Sequence, residues 1–330
     1  MKASVLNETG GVLQLQDVAM PVPQGLTALI KVDSIGVNLA ESQMRLGQYP
    51  VKLPVPVILG SEVAGIVVEV GDRSIDHLIG KRVVAALPAA GIFTGGYAEY
   101  VVAPSHTIVE IPENVSFEEA VSVPIQGLTA YYLLTRASRL SKNDSIFIQA
   151  AAGGVGSIAV QLAKILGARQ VIGGVSNSSK LELVKSLGAD VIINYSDGDW
   201  TGQVMKATGG KGVDIVLSSG SSEMTKQSLK LLAYEGRFVV FGSIEVNRLT
   251  FDSDQMTKVI FNNQSIIGFV TALVIADPEN LQTAARHLLY LISSGALKII
   301  TTSQYKLYNA QQALEDMASR KTTGKVILKP

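Results

Sequence analysis

Over the first hundred or so residues, apolar and polar positions alternate in short runs, each closed by glycine or proline. TALIKVDSIGVN (27–38), SEVAGIVVEVG (61–71), KRVVAAL (81–87) and YAEYVVAPSHTIVEIP (97–112) share this texture. Period-two alternation in turn-bounded runs predicts half-buried strands of a barrel or strongly bent sheet. The pattern changes near residue 115. VSFEEAVSVPIQGLTAYYLLTRASRL (115–140) is largely helical, with Pro124 and Gly127 breaking or kinking it. SIFIQ (145–149) predicts a buried strand. The following VGSIAVQLAKILG predicts a helix with Ile158, Leu162, Ile165 and Leu166 at helical spacing and Gly167 as its C-terminal cap.

An internal echo follows. ILGARQVIGGV (165–175) and SLGADVIINYS (186–196) each run from a helix end through LGA into a β-branched strand. VDIVLSSG (213–220), a helix over 222–233 and GRFVVFGS (236–243) continue the alternation. Strand–helix alternation at this spacing predicts βαβ units and a parallel sheet with right-handed crossovers, placing a doubly wound domain at 122–264. The tail predicts helices around 279–293 and 309–319 and a last strand, KVILK (325–329).

Composition narrows the function classes. The 330 residues are 47% hydrophobic, with 28 Lys plus Arg against 28 Asp plus Glu, so the formal charge is zero. Neither nucleic acid nor an anionic membrane is the partner such a balance suggests. The absence of cysteine excludes disulfides, thiolate metal sites and a cysteine nucleophile. His77, His106 and His287 form no HxxxH or HExxH spacing, and no metal is expected. MKASVLNETGG lacks the apolar core of a secretory signal, and no stretch reaches the roughly 20 apolar residues of a membrane span, so a cytoplasmic location is expected.

The chemistry is carried by IQAAAGGVGSI (148–158). Ala151-x-Gly153-x-x-Gly156 is a GxGxxG pattern with alanine first, lying after a strand, opening a helix and starting a βαβ unit. Small residues there let a pyrophosphate approach the backbone, where a helix N-terminus offers unpaired N–H groups; the alternative is a tight turn without ligand. NAD sites usually carry an acid about 20 residues further on, to bind the ribose 2′-hydroxyl. Here that place is Ser176, no Asp or Glu occurs from 169 to 181, and Lys180 is the first cation in GGVSNSSK. Without a repelling carboxylate the pattern favours NADPH, although Lys180 also reads as a solvated residue in a helix's first turn.

These motifs resemble, over nearly the whole chain, the zinc-independent medium-chain dehydrogenase/reductases, in particular the quinone oxidoreductase (zeta-crystallin-like) branch. GVNLAESQMRLGQYP (36–50), LGSEVAGIVVEVG (59–71), GLTAYYLL (127–134), AAAGGVGSIAVQLAK (150–164), INYS (193–196) and SRKTTGKVIL (319–328) match the family in order and spacing. The resemblance implies an α/β protein: a GroES-like β-barrel catalytic domain from both chain ends (1–121 and 265–330) and a doubly wound Rossmann NADPH-binding domain (122–264), with the active site in the cleft. Zinc-dependent relatives carry histidine where Ser61 stands and cysteines in a structural lobe; neither occurs here.

Carried over position by position, the resemblance implies nicotinamide contacts from Asn38 and Thr129 and pyrophosphate contacts from Gly153, Gly154, Val155 and Gly156. Ser176, Lys180, Tyr195 and Arg320 would surround the 2′-phosphate and adenosine. Phe241, Gly242 and Ser243 would line the cofactor, with Phe269, Val270 and Thr271 closing over the nicotinamide. Tyr49, Gln43 and Asn38 would position substrate. Two departures stand out: Gln43 replaces the family's first substrate-side tyrosine, and Phe147 stands where leucine is usual.

Hydride delivery from NADPH to a quinone then needs only solvent protons, which suits a site poor in titratable groups. The alternative is an enoyl or enone reductase, in which the olefin requires a proton donor at Cα; TGGKGVDIVLSS (208–219) resembles that branch. A structural or RNA-binding role without turnover is a third reading that the neutral charge does not support. The family also implies a homodimer joined at the Rossmann sheet edge, for which GRFVVFGSIEVNRLTF (236–251) offers apolar strand material.

Overall fold

A computed structural model describes residues 1–242 and 249–330. The chain forms two compact units, Met1–Leu128 with Thr271–Pro330, and Thr129–Val270. These divisions lie after the 121/122 and 264/265 junctions that the sequence predicts. Val123–Gly127 belongs to the first unit because it packs on Arg82–Ala86 and Pro278–Ser293 and because the Ile125 N–H donates to Glu62 Oε2 at 3.0 Å. Ser265–Phe269 belongs to the second because it pairs in parallel with Leu232–Phe241.

The first unit is organised around Thr27–Val37, which is buried along nearly its whole length. It pairs antiparallel with Glu62–Val70, Tyr100–Pro104 and Val326–Lys329. Arg82–Ala86 and Ile108–Glu110 extend the sheet on one side, and Ser303–Lys306 on the other. Register shifts at Leu29/Ile30 and Val32/Ser34 bend the central strand, as bulges do. Its core gathers Ile30, Ile35, Val63, Val83, Val101, Leu314 and Leu328 from both ends of the chain. The helix Leu39–Arg45, too short for its periodicity to show in the sequence, follows the central strand directly.

In the second unit the strands Ser145–Ile148 (β1), Gln170–Val175 (β2), Val191–Asn194 (β3), Val213–Ser218 (β4), Leu232–Phe241 (β5) and Ser265–Phe269 (β6) are parallel, in the order β3-β2-β1-β4-β5-β6. That is the doubly wound Rossmann order, with its switch point between β1 and β4. β1 is buried throughout, and its Phe147 stacks on Trp200 with ring centroids 5.7 Å apart. Room for this ring comes from Gly174, where a Cβ would lie 2.8 Å from Phe147 Cζ. The unusual phenylalanine is therefore matched by a glycine on the neighbouring strand.

The LGA echo is a pair of helix stops. Gly167 and Gly188 have φ of 85° and 102°. Each donates its N–H three residues back (to Lys164 and Lys185), while Ala168 and Ala189 donate five residues back (to Ala163 and Val184). Both are Schellman caps, which need a left-handed residue. The helix Gly154–Ile165 is buried from Gly156 to Ala163, whereas Ile165, on the apolar stripe with Ile158 and Leu162, is 44% exposed. The 222–233 helix ends at Leu229, since Leu232 already begins β5. Gly188→Ala is expected to keep the fold and lower stability by about 1–2 kcal/mol, read as a shifted urea midpoint at unchanged slope.

Candidate active site

The glycine turn lies where the sequence puts it. β1 ends at Ile148, and Gly153 is the N-cap of the helix Gly154–Ile165. Ala150 adopts φ 49°, and its carbonyl accepts from the Gly153 N–H at 2.8 Å. A Cβ at Gly156 would overlap the same carbonyl oxygen, so only glycine lets the helix start so close to the strand. The first helical turn leaves the N–H groups of Gly154, Val155 and Gly156 without intrahelical acceptors, on a face that carries partial positive charge. The arrangement fits a pyrophosphate.

The other predicted residues of this unit stand at the same carboxyl edge of the sheet. Ser176 follows β2, and its carbonyl accepts from the Ser196 hydroxyl at 2.8 Å. Tyr195 follows β3, with its N–H on the Val175 carbonyl at 2.9 Å and its ring edge-on to Trp200 at 6.5 Å. Lys180 ends the short turn Ser178–Lys180, half-buried. Phe241 closes β5, and Gly242 turns the chain with φ 76°. Phe269 and Val270 close β6, and Val270 is 47% exposed. Ser243 lies outside the described residues with the rest of 243–248; of the segment 236–251 offered for a dimer edge, residues 237–241 lie in β5, which is paired on both sides and so forms no edge. Thr129, buried, opens the unit.

In the first unit Asn38 is buried at the N-cap of Leu39–Arg45. Its amide Nδ2 donates to Glu62 Oε1 at 2.6 Å, while Oδ1 accepts from Gln126 Nε2 at 3.3 Å and Lys325 Nζ at 3.4 Å. Lys325 and Glu62 form an ion pair, and both are essentially without solvent exposure. Gly36 makes this possible, because a Cβ there would strike the Glu62 carboxyl. Glu41, also fully buried, accepts from the Asn38 N–H at 2.6 Å, the Ser61 N–H at 3.1 Å, the Ser61 hydroxyl at 2.8 Å and the Tyr97 hydroxyl at 2.8 Å. Burial pushes the Glu41 carboxyl above its ordinary range, against those donors, which hold it down. Among the described residues the Gln126 Oε1 is buried without a hydrogen-bond partner, a desolvated acceptor.

Gln43 lies within that same helix and Tyr49 four residues beyond its end, both half-buried. Burial first, and the nearby Glu41 second, raise the Tyr49 phenol above its ordinary 10.0, so it is a protonated donor at neutral pH. Thr271 is buried at the start of Thr271–Ile275. Arg320, exposed, sits at φ 61° just after Ala310–Ala318.

Glu41, Ser61, Glu62, Tyr97, Gln126 and Lys325 received no role from the sequence. A signal was present: Glu62 and Lys325 are charges at positions of otherwise apolar strand runs, EVAGIVV and KVIL, where a charge must be paired to be buried. Among the described residues, no group of three or more His, Asp or Glu side chains is placed to hold a metal ion.

Two family models match the chain, an alcohol dehydrogenase GroES-like domain over residues 24–113 and a zinc-binding dehydrogenase over 154–289. The human quinone oxidoreductase is 33% identical over 99% of this chain and 97% of its own length. Quinone oxidoreductase 1 of Escherichia coli K12 is 34% identical over 97% and 96%. The chain belongs to the quinone oxidoreductase family of zinc-independent medium-chain dehydrogenase/reductases. Its first unit is accordingly the GroES-like domain, and its second the Rossmann domain. Among solved structures, the Escherichia coli quinone oxidoreductase complexed with NADPH superposes with a TM-score of 0.91 at 31% identity, over all of both chains. The CurK enoyl reductase gives 0.86 at 27% identity, over 99% of each.

The buried polar cluster yields a pH prediction. Burial and the adjacent Glu41 hold the Tyr97 phenol well above its ordinary 10.0. An acid with a raised folded pKa contributes stability that is complete below the unfolded value and is lost as pH rises through the folded one. Tyr97→Phe, which removes a donor from the Glu41 carboxylate, is expected to cost about 1.5–3 kcal/mol at pH 7. The gap to the wild type should shrink above pH 10, as read from urea midpoints at the two pH values.

Proposed function

We propose that the chain reduces quinones with NADPH as the hydride donor. The observation that carries this reading is the Ala150–Gly156 turn, in which a Cβ-free Gly156 and three N–H groups face one way at the β1–β4 switch point. When bound, NADPH supplies a hydride from C4 of its nicotinamide. The chain's own part is to bind and to orient. Gly153, Gly154, Val155 and Gly156 hold the pyrophosphate by backbone approach, while Ser176, Lys180 and Tyr195 receive the 2′-phosphate and adenosine without an opposing carboxylate. Phe241, Gly242, Phe269 and Val270 border the cofactor along the sheet edge.

In the first unit, the Asn38 amide is held by Glu62, Gln126 and Lys325 so that it cannot rotate freely. The Tyr49 hydroxyl, protonated at neutral pH, donates to the acceptor oxygen, and Gln43 supplies a second hydrogen-bonding group without acidity. A quinone needs no more than this, because its reduced oxygens take protons from solvent. The likeness to an enoyl reductase supports a second reading, reduction of an α,β-unsaturated thioester. We also read the protein as a cytoplasmic homodimer, with β6, the outermost strand of its sheet among the described residues, as the edge that a second copy would extend; molar mass in solution checks the dimer.

The deciding assay is NADPH oxidation against an ortho- or para-quinone and a short 2-enoyl thioester in parallel. The quinone is expected to give the higher kcat/KM, and a higher value for the thioester would overturn the first reading. Tyr49→Phe is expected to lower kcat/KM for the quinone about three- to tenfold, the loss of one hydrogen bond. Unchanged turnover would remove Tyr49 from the site.

A further inference from the structure

The residue before the glycine turn, Gln149, is 2% exposed, and its side-chain amide is engaged by four hydrogen bonds within the protein. Its Oε1 accepts from three successive residues where β4 ends and the next loop begins: the Ser218 hydroxyl at 3.2 Å, the Ser219 N–H at 3.0 Å and the Gly220 N–H at 2.9 Å. Its Nε2 donates to Ser228 Oγ at 2.5 Å, on the helix Ser222–Leu229 that the loop feeds. The Gln149 N–H continues the β1–β4 pairing on to the Leu217 carbonyl at 3.1 Å. Close approach is built in, since a Cβ at Gly220 would lie 2.9 Å from Gln149 Oε1 and 3.0 Å from Met224 Sδ.

One side chain thus ties the turn after β1 to the loop after β4. In a doubly wound sheet the strands split into two mononucleotide-binding halves across the switch point. The β1–β3 half carries the adenosine, where the residue about 20 positions past the fingerprint meets its ribose. The β4–β6 half is left for the nicotinamide nucleotide, and Ser218–Gly220, the last residue of β4 and the start of its loop, is that half's first carboxyl-edge segment. Two consecutive N–H groups pinned on a buried oxygen fix the path of the loop. Without that oxygen they would seek water or rearrange.

We infer that Gln149 is a positioning residue for the cofactor: it sets the segment Ser218–Gly220 at the end of β4 in the conformation that receives the nicotinamide half, without touching that half itself. The inference rests on the NADPH reading of the preceding section. It separates the two ends of one ligand, which a general loss of stability would not do.

The experiment is calorimetric titration of the full chain with NADPH and, separately, with adenosine 2′,5′-bisphosphate, which reports the adenosine half alone. Gln149→Leu keeps the volume but removes the acceptor; it is expected to weaken NADPH about tenfold while the bisphosphate stays within about twofold. Ser228→Ala, which removes only the partner of Nε2, is expected to leave both ligands within about threefold. Gln149→Glu keeps an acceptor oxygen for the loop and is expected to restore most of the NADPH affinity, which also covers a leucine variant that does not fold. Equal weakening of both ligands in the leucine variant, unchanged NADPH affinity there, or a tenfold NADPH loss in the glutamate variant would each overturn the inference. A wild-type chain that fails to bind NADPH would instead overturn the cofactor reading beneath it.

Discussion

The Rossmann unit depends on one close approach, the first turn of Gly154–Ile165 against the carbonyl of Ala150. Ala150 is held in a left-handed conformation, which costs a non-glycine residue about 1–3 kcal/mol. The cost is offset locally by hydrogen bonds from the Gly153 N–H to Ala150 O and from the Ala151 N–H to Gly174 O, at 2.8 and 2.9 Å. The constraint spreads outward. Gly174, which accepts that bond on β2, also leaves the space that Phe147 fills on β1, and Phe147 in turn stacks on Trp200 beside Tyr195. The packing of the strand core and the position of Tyr195 at the carboxyl edge are thus one problem with one solution.

The GroES-like unit is built on a different economy. Two carboxyl side chains, Glu41 and Glu62, are buried near one end of this unit's sheet, and Glu62 takes the buried ammonium of Lys325. Glu62 is neutralised by that pair, whereas Glu41 is held only by hydrogen-bond donors, two from backbone and two from hydroxyls. Such ion pairs add little net stability over apolar packing, yet breaking one costs about 3–5 kcal/mol, since a charge is left buried and alone. What the cluster does accomplish is orientation. Asn38 has its amide oxygen and one amide hydrogen engaged by fixed partners, so its rotamer is set before any ligand arrives.

How much of this was legible in the sequence follows the range of the interactions. The glycine turn, the LGA stops and most strands are local, and their signals lie within a few residues of the structure they make. Glu62 and Lys325 meet across 263 positions, and no local pattern says which apolar strand hides the partner of a charge. Helix Leu39–Arg45 is under two turns long, too short for periodicity, and is set by the Asn38 cap. Ile165 shares the spacing of Ile158 and Leu162, but only the earlier two are buried, so helical spacing alone did not say how far along the helix the buried face reaches. Ser265–Phe269 reads as tail until its parallel pairing with β5 is seen. Gln149 was visible only as the last letter of a strand, since its role lies in a loop some seventy residues on.

The central claim is that the turn after β1 and the loop after β4 together receive one NADPH. Amide hydrogen exchange of the full chain, with and without saturating NADPH, tests it most directly. The account predicts slowed exchange in two separate stretches, the N–H groups of 153–157 at the pyrophosphate and those of 218–220 on the nicotinamide side, with β3 and the β4 interior unchanged. Protection confined to the first stretch, or absent from both, would contradict it.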